Sequence, residues 1–209
     1  MSELELLKNR SAELIRGDET VETNTFKDIH YQAYMTEYDG GYYFDHSLHL
    51  FGISTKDSFN DIYKINELIS KEYKPIINED LGCFGQDIFG NLFAFRNSGK
   101  VVFLNIETAE IEEIASDFKD WLEVFLCDVN YFTGVELIKD LNEVEAEELA
   151  RGYRLCPKVP FVMGGSYQKE NLYLKFSDKN INYNASIARQ LVGLKDGQKV
   201  ELKIIDKDD

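Results

Sequence analysis

Between Asn91 and Ile106 two apolar runs, NLFAFR and KVVFLNI, are separated only by Asn97, Ser98 and Gly99. Glycine in so short a connection supplies a positive φ at little steric cost, so the runs read as a β-hairpin. Neither run alternates apolar with polar residues. Both faces of each strand must therefore be covered, which sets the hairpin in the middle of a sheet with a layer on either side.

The rest of the chain is read for what supplies those layers. Phe118, Trp121, Leu122, Phe125, Leu126 and Val129 recur at helical spacing behind Ser116, an expected N-cap, and Trp121 is expected in the core. A second helix is expected from Ile62, opening after Asn60 or Asp61. A third follows Asn142, with Glu145 completing a capping box and Gly152 ending it, and a fourth spans Ala185 to Val192 before Gly193. Residues 2–16, with Ser2 and Glu5 as a capping box and Leu4, Leu7, Leu14 and Ile15 on one side, read as an N-terminal helix ending at Gly17. Asp39-Gly40-Gly41 is a turn ahead of the aromatic YYF, and HLFGI, VPFVMGG, NLYLKF and QKVELKII are strand-like. Strands gathered in hairpins, not interleaved with helices, give an α+β fold. One continuous domain over residues 1–209 is expected.

The chain carries 38 acidic and 23 basic side chains, a net charge of -15, and would repel nucleic acid and anionic membranes. No apolar run approaches a membrane span, and the acidic residues of MSELELLKNR do not suit a signal peptide, so a cytoplasmic protein is expected. Cys83, Cys127 and Cys156 are odd in number and widely spaced, which argues for reduced, mostly buried thiols.

Motifs for chemistry are scarce. Gly82, Gly85 and Gly90 do not make a dinucleotide fingerprint, and Gly99-Lys100 is followed by Val101 where a Walker loop needs Ser or Thr, so these glycines are read as turns. His46 and His49 lie three apart beside Asp45. On a strand that spacing points them to opposite faces, and no third or fourth ligand accompanies them. Asp87, in GQDIFG, is the one carboxylate to single out: it either faces a partner or accepts bonds from its own turn amides. No catalytic residue, metal or cofactor is assigned, and the chain is read as a non-enzyme.

In order, EYDGGYYFDHSLHLFGI (Glu37–Ile53), DIYKINELI (Asp61–Ile69) and FGQDIFGNLFAFRNSGKVVFLNIETAEIEEIASDFKDWLEVFL (Phe84–Leu126) resemble the SUKH superfamily. The resemblance rests on Gly40-Gly41, Leu50-Phe51-Gly52, Gly85 to Phe93, Gly99 to Val101 and Ile114 to Leu122. Asp39 stands where many members have Asn. The core of the likeness runs from 37 to 127, with 128–209 similar to extensions that some members carry.

The resemblance implies a central mixed, largely antiparallel sheet flanked by helices and no shared catalytic site. It also implies stoichiometric binding, either to a cognate toxin domain, such as a basic nuclease, or as a regulatory module of the cell-wall (glucan) synthesis kind. Candidate partner-binding residues are Tyr42, Tyr43, Asp45 and Asp87, chosen as aromatic and acidic side chains on the sheet and its loops.

Overall fold

The computed structural model describes residues 3–14, 26–53, 57–194, 201 and 203. Seven strands form one sheet in simple sequential order: β1 (Ser11–Leu14), β2 (Gly41–Tyr43), β3 (Leu48–Leu50), β4 (Leu81–Gln86), β5 (Leu92–Arg96), β6 (Val101–Leu104) and β7 (Ile111–Ala115). Every ladder is antiparallel, and the parallel contact among the described residues is the isolated Gly52–Asp61 bridge. The expected hairpin is β5–β6. Leu92, Phe93, Ala94, Val101, Val102 and Leu104 are all fully buried, as strands without alternation require.

Aromatic residues fill one face. Phe84, Phe93 and Phe95 meet Trp121, Phe118 and Phe125 of α4 (Phe118–Cys127) and Tyr31 of α2 (Ile29–Tyr38). Asp28 ties the two helices together at their starts. Its Oδ1 accepts from His30 and Tyr31 N–H, and its Oδ2 accepts from Phe118 N–H at 3.0 Å. The opposite face is covered by α7 (Ser177–Leu191), packed against α3 (Ile62–Tyr73). Arg189 of α7 donates to the backbone and carboxylate of Glu72 on α3, at 2.9 and 3.1 Å. Because β3 ends at Leu50, Cys83 has no strand partner on that side. Asn66 of α3 takes its place, accepting from Cys83 N–H and donating to Cys83 C=O, both at 2.7 Å.

The C-terminal strands β8 (Tyr153–Pro157) and β9 (Leu172–Phe176) pair with each other and do not join the sheet. With α6 (Glu143–Ala150) they enclose a second small core of Ile88, Leu149, Leu155 and Leu172. α7 nonetheless gives Ile181, Ala185 and Ala188 to the main core.

Several expectations are corrected. The N-terminal helix α1 is only Glu3–Lys8; Ser11 Oγ donates to Lys8 C=O, and the chain turns to pair Ser11–Leu14 with the free edge of β2. That edge offers backbone partners that a longer surface helix would forgo. Ser2 and Gly17 lie outside the described residues. The cap of α4 is Asp117, which accepts from Asp120 N–H, while Ser116 donates from N–H and Oγ to Asp120. The helix stops at Cys127, since Asp128 caps α5 (Val129–Thr133), so Val129 starts a new element. VPFVMGG is a 3-10 turn over Phe161–Met163 ended by Gly164 at φ 87°, not a strand. α7 begins at Ser177, eight residues before the expected Ala185. Of QKVELKII only Glu201 and Lys203 are described, and Lys203 exchanges two backbone bonds with the Gln190 amide.

Candidate functional site

Three of the four candidate partner-binding residues lie inside the protein. Tyr43 is fully buried, its hydroxyl 2.9 Å from that of Tyr34. Tyr42, on the other face of β2, is 1% exposed and donates to Asn60 Oδ1 at 2.9 Å. Asp87 is 3% exposed and accepts from Phe89 N–H, Asn91 N–H and Asn91 Nδ2, each at 2.8 Å. It therefore follows the turn-amide alternative. Burial outweighs these donors and pushes its carboxyl up to about 7. As surface residues the three are corrected: α2 covers Tyr43, and the C-terminal elements cover the other face of the sheet, where Tyr42 and Asp87 lie.

Asp45 alone is exposed. It stands at the tip between β2 and β3, where Phe44, Asp45 and His46 all have positive φ, 52°, 54° and 70°. Three consecutive non-glycine residues there are strained, and Ser47 holds the tip by donating N–H and Oγ to Phe44 C=O. Asp45 lines an open groove of about 650 Å³ with Leu6, Arg10, Phe44 and Leu126. A second groove, of about 580 Å³, lies where α2, α3 and α4 begin, with Phe26, Leu81 and Phe95 in it and Tyr63, Arg96 and Asp117 at its sides. Glu79 holds Arg96 there at 2.8 and 2.9 Å.

Behind Tyr42 lies a buried polar layer that the sequence did not reveal. The His49 ring stacks on Tyr42 at 4.2 Å, Gln86 Nε2 lies 3.0 Å from His49 Nδ1, and Ser177 Oγ donates to Gln86 Oε1 at 3.2 Å. The Arg154 guanidinium lies over Tyr42, 5.6 Å from the ring centre, and donates to the carbonyls of Leu149 and Tyr153. Burial, then the nearby Arg154 charge, hold the His49 imidazole well below its usual pKa, so it is neutral. His46 also comes to Tyr42, at 5.6 Å, because it belongs to the turn and not to β3; the opposite-faces argument fails for that reason. His49, Gln86 and Arg154 are fully buried, so the layer joins the sheet to β8 and α7 and presents none of these groups to solvent. The signal that marks it is an arginine inside the strand run YRLCP.

Among the described residues no three His, Cys, Asp or Glu side chains gather as metal ligands. Nor is any helix there long and apolar enough to cross a membrane.

The fold is similar to that in the crystal structure of Atu4351 from Agrobacterium tumefaciens, with a TM-score of 0.57, 14% identity and 86% of each chain covered. No curated protein matches the sequence. Residues 30–124 match the SMI1 / KNR4 family (SUKH-1), over the segment that carries α2, the sheet from β2 to β7, and α3 and α4. By that match residues 30–124, a little under half of the chain, form a segment of the SUKH-1 kind.

Proposed function

We propose that this protein is an immunity protein that neutralises a cognate toxin domain by stoichiometric binding. The observation that carries the reading is a SUKH fold with a net charge of -15. An acidic surface of that size attracts a basic protein, speeds its association and makes the rate depend on salt. The chemistry-bearing groups behind Tyr42 are enclosed, which agrees with work done by a surface and not by a pocket. Asp45, exposed beside an open groove at a strained turn, is a contact residue in this reading.

The test is affinity capture on this chain from a lysate of its native cells, at low and at high salt, with the bound polypeptides identified by mass spectrometry. The expected result is one basic polypeptide in stoichiometric amount, released by salt, whose toxicity the protein abolishes. Capture of a cell-wall or signalling enzyme, with no toxin neutralised, would replace this reading with that of a regulatory binding module.

A further inference from the structure

Eleven large apolar side chains are more than a third exposed among the described residues, and four of them fall within nine positions: Val159, Val162, Met163 and Tyr167, at 49%, 43%, 45% and 56%. Isolated exposed apolar residues are ordinary, whereas a cluster asks for a partner. This cluster is also rigidly built. Asn171 accepts from Val159 N–H at 2.9 Å and donates to the carbonyls of Val159 and Ser166 at 3.0 Å. Met163 and Gly165 N–H both donate to Pro160 C=O at 3.0 Å, and the buried Glu107 accepts from Val162 N–H at 3.0 Å.

Gly165 leaves no room for a side chain, since a Cβ there would lie 1.9 Å from Val159 O. Beneath the turn, Phe161 stacks on Tyr167 at 4.0 Å, and Phe89 meets both edge-on. A loop so fully bonded pays little ordering entropy on binding, yet about half of the surface of its four apolar side chains stays in water.

We infer that residues 159–167 form a docking surface for a basic protein segment that presents apolar side chains. Charge argues for that occupant. Lys169 pairs with Glu145 and so holds the loop beside the start of α6, where Glu143 and Glu147 are exposed and Val144 is 67% exposed. From Glu136 to Glu148 the sequence has six acidic residues and one lysine, Lys139; Glu145 pairs with Lys169, and Glu147 and Glu148 with Arg151. An apolar tip beside an acidic helix suits a cationic partner, whereas a second copy of a chain with net charge -15 would be repelled. This surface rests on the toxin-binding reading and says where such a partner sits.

The test uses the whole protein, isotope-labelled, titrated with a synthetic amphipathic lysine–leucine peptide and with its glutamate–leucine counterpart. The expected result is that amide shifts cluster at 159–167 and in α6 for the lysine peptide and are absent for the glutamate one. Val162→Ser with Met163→Ser should weaken the lysine peptide by about tenfold. Tyr167→Ser should do so independently, and dispersed amide spectra would show that both variants fold. No binding, equal binding of the two peptides, or shifts centred on either groove would overturn the surface. So would a concentration-dependent dimer, seen by sedimentation, that the double substitution abolishes. A captured toxin still bound fully by the double variant would leave the proposed function standing and remove this face. Peptide docking at the loop with only a cell-wall enzyme captured would do the reverse.

Discussion

Asp87 shows how one buried carboxylate can be tested. Its pKa lies above the ordinary 3.8, at about 7, chiefly through burial. Between those values the folded state holds a proton that the unfolded state has lost, so this group's contribution to stability falls as pH rises. Asp87→Asn abolishes the titration. The stability of the wild type relative to the variant should therefore decline from about pH 4 to about pH 7 and then level off, by at most about 1.4 kcal/mol per pH unit. Urea denaturation across that range measures it, and a flat difference would refute the assignment. His49 works in the opposite sense: its lowered pKa makes the unfolded state the better proton acceptor, so its contribution is lost as pH falls below the usual imidazole value of 6.5. Sequence alone foresaw that Asp87 could bond to its own turn amides. What it could not show is the lid over Tyr42, His49 and Asp87, because their cover comes from Arg154 and Ser177, 67 or more residues away in the chain.

At the scale of elements, the β2–β3 hairpin depends on Gly40. Its φ is 86°, and a Cβ there would come within 2.7–2.8 Å of Gly52 N, Leu50 O and Phe51 C, all backbone atoms of the neighbouring segment. Backbone cannot swing aside as a side-chain tip can. Gly40→Ala should cost about 3 kcal/mol or more, from strain and the spreading of β2 from β3, as seen in the denaturation midpoint. A loss below about 1 kcal/mol would show that the turn adapts. The contact of α7 with α3 makes a second case. Glu72 is 5% exposed, so among the described residues Arg189→Ala leaves this buried carboxylate with only the 3.5 Å Lys71 ion pair. A fall in stability of about 1–3 kcal/mol is expected, with faster amide exchange along α7, whereas an exposed pair would cost less than about 1. Elements with local signals were legible: the β5–β6 hairpin, the Asp61 start of α3 and the Asn142–Glu145 capping box all stand where their residues put them. Those decided by distant pairing were not. The leucines of residues 2–16 carry a helical period, yet Ser11–Leu14 is a strand because β2 offers an edge.

At the scale of the molecule, the matched family segment ends at 124, but the sheet it contains is not finished there. One face of that sheet carries Tyr42, His49 and Gln86, whose partners Arg154 and Ser177 come from beyond the segment. Ile181, Ala185 and Ala188 of α7 enter the same core as Ile65 and Ile69 of α3. Without them the sheet would expose fully buried apolar strands and a neutral imidazole to water, at about 25 cal/mol for each Å² of apolar surface uncovered. We therefore predict that a chain ended after Cys127 has no stable tertiary structure, while the full chain unfolds in a single transition. Near-ultraviolet circular dichroism and amide spectral dispersion distinguish the outcomes. A shortened chain with native dispersion, or two separate calorimetric transitions in the full chain, would make residues 128–209 an appended unit. The β8–β9 hairpin would then be a passenger on the sheet and not the layer that completes it.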